Sequence, residues 1–327
     1  MNSFGRIFRL SVFGESHGSA IGLVIDGVPP GISLSASDFE HDLSRRRSGA
    51  QGTTPRKEAD LPKIISGIYK EKTTGAPLTI LFENSDVRSS DYASLLTTPR
   101  PGHADFTAGK KFKGYADPRG GGHFSGRMTL ALVAAGVVAK KIIAPVNITS
   151  EILEIGGETD IQKALDAIAG TGDSIGGIIQ CTASGIPVGL GEPFFDSAES
   201  LISHLVFSIP AIKGIEFGSG FNAARMKGGE HNDPILDASG KTLTNNAGGI
   251  NGGISNGNEL LFRVAVKPTS SIGLPQETLD LKSGKTGTLQ IQGRHDTCIA
   301  LRMPVILEAA TAIVLADLGF LAGSSSL

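Results

Sequence analysis

Cysteine is scarce: Cys181 and Cys298 are the only two in 327 residues. They stand far apart, outside any Cys-x-x-Cys or ligand-spaced histidine pattern. That excludes a disulfide scaffold and a structural zinc site, and it points to a reducing, cytoplasmic setting with no metal. Net charge is nearly absent too, at −2 with 30 basic against 32 acidic side chains. Without a surplus of positive charge, no nucleic-acid partner is expected. Charged residues make up 19% and hydrophobic residues 40%, which rules out a disordered acidic chain. Long hydrophobic runs are missing as well. The longest, Leu130–Ala139, ends at Lys140-Lys141, well short of the roughly 20 residues that cross a bilayer. The stretch from Met1 to Gly14 is too mixed for a secretory leader.

Glycine is what the chain has in excess, 44 residues beside 16 prolines, about twice the usual ~7% share. Arginine is unevenly placed: ten of fourteen fall in the first 127 residues. Most border Gly, Pro or Ser, as in Pro99-Arg100-Pro-Gly and Pro118-Arg119-Gly-Gly-Gly. His17, His103, His123, His231 and His295 sit in similar company. A guanidinium is a rigid fork that meets carboxylate or phosphate oxygens two at a time. Arginines on glycine-rich loops therefore indicate a pocket for a small, multiply anionic ligand.

The pattern predicts strands at 6–13, 20–26, 63–69, 77–82, 147–155, 176–183, 213–217, 260–267 and 287–292. Ser35 and Asp38 form a capping box opening a helix to about Arg47. Helices follow at about 126–143, 197–209 and 304–321, the first and last apolar around most of their circumference and so buried on several sides. Residues 84–124 read as mostly loop. Strands and helices do not alternate strictly, which argues against a doubly wound parallel sheet. The expectation is an α+β fold in a single domain over 1–327, with long buried helices sandwiched between antiparallel β-sheets.

Generic nucleotide motifs fail: Ile235 and Leu279 stand where a phosphate loop before Gly240-Lys-Thr or Gly284-Lys-Thr needs glycine. Gly248–Gly257 is glycine-dense and fits a tight turn as well as a ligand cradle. Gly14-Glu-Ser-His-Gly18 sets a hydroxyl beside an imidazole, and His17 there fits an acid or base as well as a bonded turn residue. Pro99-Arg-Pro-Gly-His-Ala-Asp105 is stiffened by two prolines, a rigid loop suited to anion binding with proton transfer. Asp117 to Arg127 runs into the start of a buried helix, a ready anion site, with Ser125 as a reasonable N-cap.

Taken together these segments resemble chorismate synthases. Phe13-Gly-Glu-Ser-His-Gly18, the arm from Arg100 through Arg127, and Gly293-Arg-His-Asp296 carry the resemblance. Val28-Pro-Pro-Gly31, Asp42-Leu-Ser-Arg-Arg-Arg47, Gly189-Leu-Gly-Glu-Pro193, Lys213-Gly-Ile-Glu-Phe-Gly218 and Lys267-Pro-Thr-Ser-Ser271 follow in the family's order. The resemblance implies loss of phosphate and a ring hydrogen from 5-enolpyruvylshikimate 3-phosphate to give chorismate, with reduced FMN and no net redox change. It implies that His17 protonates the departing phosphate, that His103 sits at the flavin ring, and that Ser16 and Asp296 relay a proton. Arg46, Arg47, Arg56, Arg100 and Arg127 would hold the substrate. His123, Phe124, Ser125, Ala211, Gly252, Lys267, Pro268, Thr269, Ser270, Ser271 and Arg294 would face the flavin.

The chain departs from the family pattern after Arg47, where an arginine is missing, and at His123-Phe124, which replaces an Arg-Ser pair. The resemblance also implies a homotetramer, supplied with reduced FMN by a separate flavin reductase or a reducing cytosol. The rival is a flavin-dependent oxidoreductase acting on a small anionic substrate, which would consume NAD(P)H in proportion to product.

Overall fold

The computed structural model describes residues 2–49, 51–54, 58–85, 95, 97–291 and 295–323. Its helices are α1 (Glu40–Arg46), α2 (Asp105–Lys111), α3 (Thr129–Ile142), α4 (Ile161–Ile168), α5 (Ala198–Val206), α6 (Gly228–His231) and α7 (Met303–Leu321). The first sheet contains β1 (Ser3–Phe4), β2 (Arg9–Gly14), β3 (Ala20–Asp26) and β4 (Lys63–Ser66). A small ladder, β5 (Ile68–Tyr69) with β6 (Lys72–Thr73), precedes its last strand β7 (Leu78–Glu83). The second sheet is built from β8 (Asn147–Ile155), β9 (Gly177–Ser184) and β10 (Ile212–Phe217). The hairpin β11 (Ile250–Asn251) and β12 (Ile254–Ser255) comes before its remaining strand, β13 (Leu260–Val266). A further hairpin pairs β14 (Gln276–Asp280) with β15 (Lys285–Leu289).

Every ladder is antiparallel, in the orders β1-β2-β3-β7-β4 and β10-β13-β9-β8. Alternation decides which face each strand buries. Ile21, Leu23 and Ile25 of β3, with Leu78, Ile80 and Phe82 of β7, are buried, as are Leu260, Phe262, Val264 and Val266 of β13. Helix α3 lies against β3, α7 lies against β8 and β9, and the two helices pack on each other, so one core runs through both sheets. This is the sandwich expected from the sequence. Helix α7 with the turn before it is long and apolar enough to cross a membrane, but 78% of that window is buried inside this core.

The two helices meet at their smallest side chains. A Cβ on Gly136 would come within 2.5 Å of Ala309 Cα, so the axes approach closely only because Gly136 has none. Gly136→Val should therefore destabilise the chain by about 1–3 kcal/mol through overpacking, read as a lower urea midpoint. An unchanged midpoint would mean the helices can part freely.

Two acids interrupt the apolar surface of α7, and both are engaged. Glu308 accepts from Arg45 Nη1 and Nη2 at 2.6 Å each and from Lys140 at 3.1 Å. Asp317 accepts the backbone N–H groups of Arg6, Ile7 and Phe8 at 2.8–3.1 Å. Those donors are therefore not available to a strand ladder, and β2 begins at Arg9 instead of residue 6. Elsewhere α2 occupies part of the expected 84–124 loop. Helix α4 forms behind an Asp160 cap that accepts from Lys163 N–H at 3.1 Å. Both are short helices, which periodicity registers poorly. Strand β14 was not expected, and its partner ends at Leu289 instead of 292.

Candidate active site

A cavity of about 980 Å³ opens where the N-terminal sheet edge, the start of α3, the end of α5 and the segment after β13 converge. Its wall includes Ser16, His17, Arg46, Arg47, Arg100, His103, His123, Phe124, Ser125, Arg127, Ala211, Lys267, Pro268, Thr269, Ser270, Ser271 and Asp296. Residues up to 280 apart in the chain thus share one space. Arg56 and Arg294 lie outside the described residues. Gly252 is the exception: it sits in the β11–β12 turn and is not on this wall. The glycine run around it serves the turn, with φ of 61° at Gly252 and 88° at Gly253.

A triple-glycine loop lies against the imidazoles of His17 and His103. Gly120, Gly121 and Gly122 have φ of 60°, 81° and 54°, a region that side chains avoid. Ser16, just after β2, donates its N–H to Gly122 O at 3.1 Å. A Cβ on Gly120 would lie 2.6 Å from His17 Cδ2 and 2.8 Å from Ser16 Oγ. One on Gly121 would lie 3.4 Å from His103 Nε2. Consecutive peptide units are thus flanked by His17 and His103; a side chain at Gly120 would collide with the His17 ring, while Gly121 is required by its φ of 81°.

Around His103 the loop is rigid. Asp105 accepts from Arg100 Nε and Nη2, both at 2.7 Å, and its Oδ1 is 2.6 Å from His103 Nδ1. Arg100 Nη1 donates to Ser271 Oγ at 2.9 Å. Lys267 Nζ donates to Gly102 O at 2.9 Å and Ser270 Oγ at 2.6 Å. Burial and the nearby Lys213 charge lower the Lys267 ammonium's affinity for its proton. For Asp105, burial opposes ionisation, but the bonds and charges of Arg100 and His103 outweigh it and hold the carboxyl well below the usual range.

Deeper in the site, Asp60 bridges two arginines, accepting from Arg46 Nη2 at 2.6 Å and Arg127 Nη1 at 2.9 Å. Arg127 Nε donates to Asn84 Oδ1 at 2.7 Å. Arg46 is 2% exposed. Burial first, then the Arg302 and Arg127 charges, pull its pKa down to about 10, so it stays charged at neutral pH. Arg46 Nε and Nη1, Arg127 Nη2, Arg47 Nε and Thr269 Oγ1 are buried with no hydrogen-bond partner among the described residues. Such donors are costly to leave unmet and favour an incoming anion.

Other expected contacts are spent on structure. His123 holds Gly14 O through Nδ1 at 2.8 Å and meets Asn2 Oδ1 through Nε2 at 3.2 Å, so its nitrogens are engaged within the chain. Ser125 Oγ caps the turn before α3, accepting from Arg127 N–H at 3.3 Å. Asp296 accepts from Thr54 N–H at 2.8 Å and from Arg302 Nη1 at 3.1 Å. Arg47 pairs with Glu40 at 2.9 Å. Sequence reasoning missed Asp60, Asp105, Asn84 and Arg302. Asp105 lay in a motif that drew notice and Asn84 at the start of the 84–124 loop; Asp60 and Arg302 carry no local signal, because their partners are distant in the chain.

The family model described as chorismate synthase matches residues 8–320. A curated chorismate synthase from Chitinophaga pinensis is 63% identical over 318 residues, covering 97% of this chain and 96% of its own. One from Thermococcus kodakarensis is 42% identical over 340 aligned residues, covering 96% of each. A solved structure described as a crystal structure of chorismate synthase superposes with a TM-score of 0.75 at 26% identity, covering 99% of this chain and 95% of that one.

Proposed function

The chain belongs to the chorismate synthase family, and from that premise we propose that its cavity eliminates phosphate from 5-enolpyruvylshikimate 3-phosphate to yield chorismate. Two imidazoles and several unpaired, buried guanidinium N–H groups on one wall carry this reading. The substrate's phosphate and carboxylates match those donors. Arg46 and Arg127 would bind the anion, with Arg47 and Arg100 at its rim. His17 would deliver the proton to the leaving phosphate, and Ser16 with Asp296 would pass a proton onward.

Reduced FMN fits the same space. About 980 Å³ is at the upper end of the ~300–1,000 Å³ usual for ligand pockets. Thr269 brings an unpartnered hydroxyl, and Lys267 and Ser270 bring a cation and a hydroxyl suited to a phosphate. Ala211, Pro268 and Phe124 add apolar surface for a ring system. When bound, the reduced flavin lends electron density to the substrate with no net oxidation. The protein's part is to hold both molecules, exclude water and manage protons at His17 and His103. We place the chain in the cytoplasm as a homotetramer, with reduced flavin supplied by a separate reductase or by the reducing cytosol. Gly252 could touch a flavin only in another copy's cavity.

The test is an anaerobic assay with photoreduced FMN and the phosphorylated enolpyruvyl substrate. Phosphate and chorismate should appear one for one without NAD(P)H consumption. No phosphate release, or NAD(P)H spent in step with product, would overturn the reading.

A further inference from the structure

Asn84, the first residue after β7, meets the site on two sides with one amide. Its Nδ2 donates to Glu15 O at 3.1 Å and to Gly18 O at 2.9 Å, the carbonyls that bracket Ser16 and His17. Its Oδ1 accepts from Arg127 Nε at 2.7 Å. Backbone carbonyls only accept and a guanidinium only donates, so these partners fix which end of the amide faces which. We propose that Asn84 is a positioning residue that ties the turn carrying His17 to Arg127, keeping the proton donor and the anion clamp at one spacing.

The tether is itself anchored. Asn84 N–H donates to Ser19 O at 3.1 Å, next to the β3–β7 pair Ala20 and Glu83. Gly18 N–H closes the turn onto Glu15 O at 3.1 Å, and Ser16 N–H holds it to Gly122 O at 3.1 Å. On the other side, Arg127 Nη1 is taken by Asp60 at 2.9 Å. Its Nη2 keeps no hydrogen-bond partner among the described residues, with Glu58 at 3.9 Å. Asn84 and Asp60 thus spend two of the three guanidinium nitrogens and leave the third to a ligand. This rests on the reaction proposed above, in which His17 and Arg127 serve one substrate.

A double-mutant cycle tests the tether. Asn84→Ala should lower kcat about 10- to 100-fold, the scale of a small misplacement of a reacting group. In a His17→Ala background the same change should cost about threefold or less, because the group it positions is gone. Flavin-free Asn84→Ala protein should also bind inorganic phosphate several-fold more weakly than wild type, since Arg127 loses the partner that aims it. Equal losses of kcat in the two backgrounds, or unchanged phosphate affinity, would overturn the proposal. Should the alanine variant fail to fold, Asn84→Asp keeps an acceptor for Arg127 while removing both donors, and the same cycle in kcat decides. Failure of the assigned reaction shows separately, as absent phosphate release in the wild type.

Discussion

Replacing His17 with alanine is expected to give a folded protein that still binds flavin and substrate but turns over about 10²- to 10⁴-fold more slowly, the usual contribution of a positioned proton donor. The ring is 7% exposed and packed against Gly120 in the cavity wall. Alanine has nothing to donate, and a water entering the gap would be neither as acidic nor as well held. The arginines proposed to hold the anion, Arg46 and Arg127, approach from other elements, α1 and the turn before α3, so substrate affinity should change little. The loss should therefore appear in kcat and leave flavin affinity intact, measurable by single-turnover phosphate release and by flavin titration. Turnover at the wild-type rate would remove His17 from the chemistry.

The second large effect concerns Asp60, which is 3% exposed. Burial resists its ionisation, but the charges and hydrogen bonds of Arg46 and Arg127 outweigh burial and hold its carboxyl below the ordinary range. Asp60→Asn keeps the shape and tolerates the local φ of 50°, because asparagine readily adopts left-handed backbone. It removes the negative charge that bridges two buried cations, leaving Glu58 at 3.9 Å from Arg127, and turns an NH₂ toward one of them. Breaking a buried pair in this way costs about 3–5 kcal/mol. The pairing contributes fully above the unfolded carboxyl pKa of about 3.9 and is lost as pH falls through the lower folded value. The gap between wild type and variant should thus be widest near neutrality and close below about pH 4. Inorganic phosphate should raise the melting temperature of the variant more than that of the wild type, since it restores the missing counter-charge. Equal melting temperatures at pH 7 would show that Asp60 does not hold the clamp.

Much of the molecule was legible before the structure. The two long helices were evident because they are apolar on nearly every face, and such helices have no stable place but a core. The strand at 147–155 matches β8 end to end, even though its pairing shifts register between Ile152 and Glu154. Short helices α2 and α4 were hidden, as two turns leave too few residues to establish a period. His17, His103 and the arginines stood out through their glycine and proline neighbours, whereas Asp60 and Arg302 sit in unremarkable local sequence.

The amino-acid order by itself determined the sandwich of buried helices and antiparallel sheets, and the supply of cations, imidazoles and flexible loops, because periodicity and backbone freedom are local properties. Tertiary structure alone decided which carboxylate meets which arginine, that Glu308 and Asp317 are satisfied inside a hydrophobic core, and that Gly252 stands away from its own chain's cavity. Those outcomes depend on groups brought together across hundreds of residues, where short-range directional bonds choose among partners that no stretch of sequence can rank.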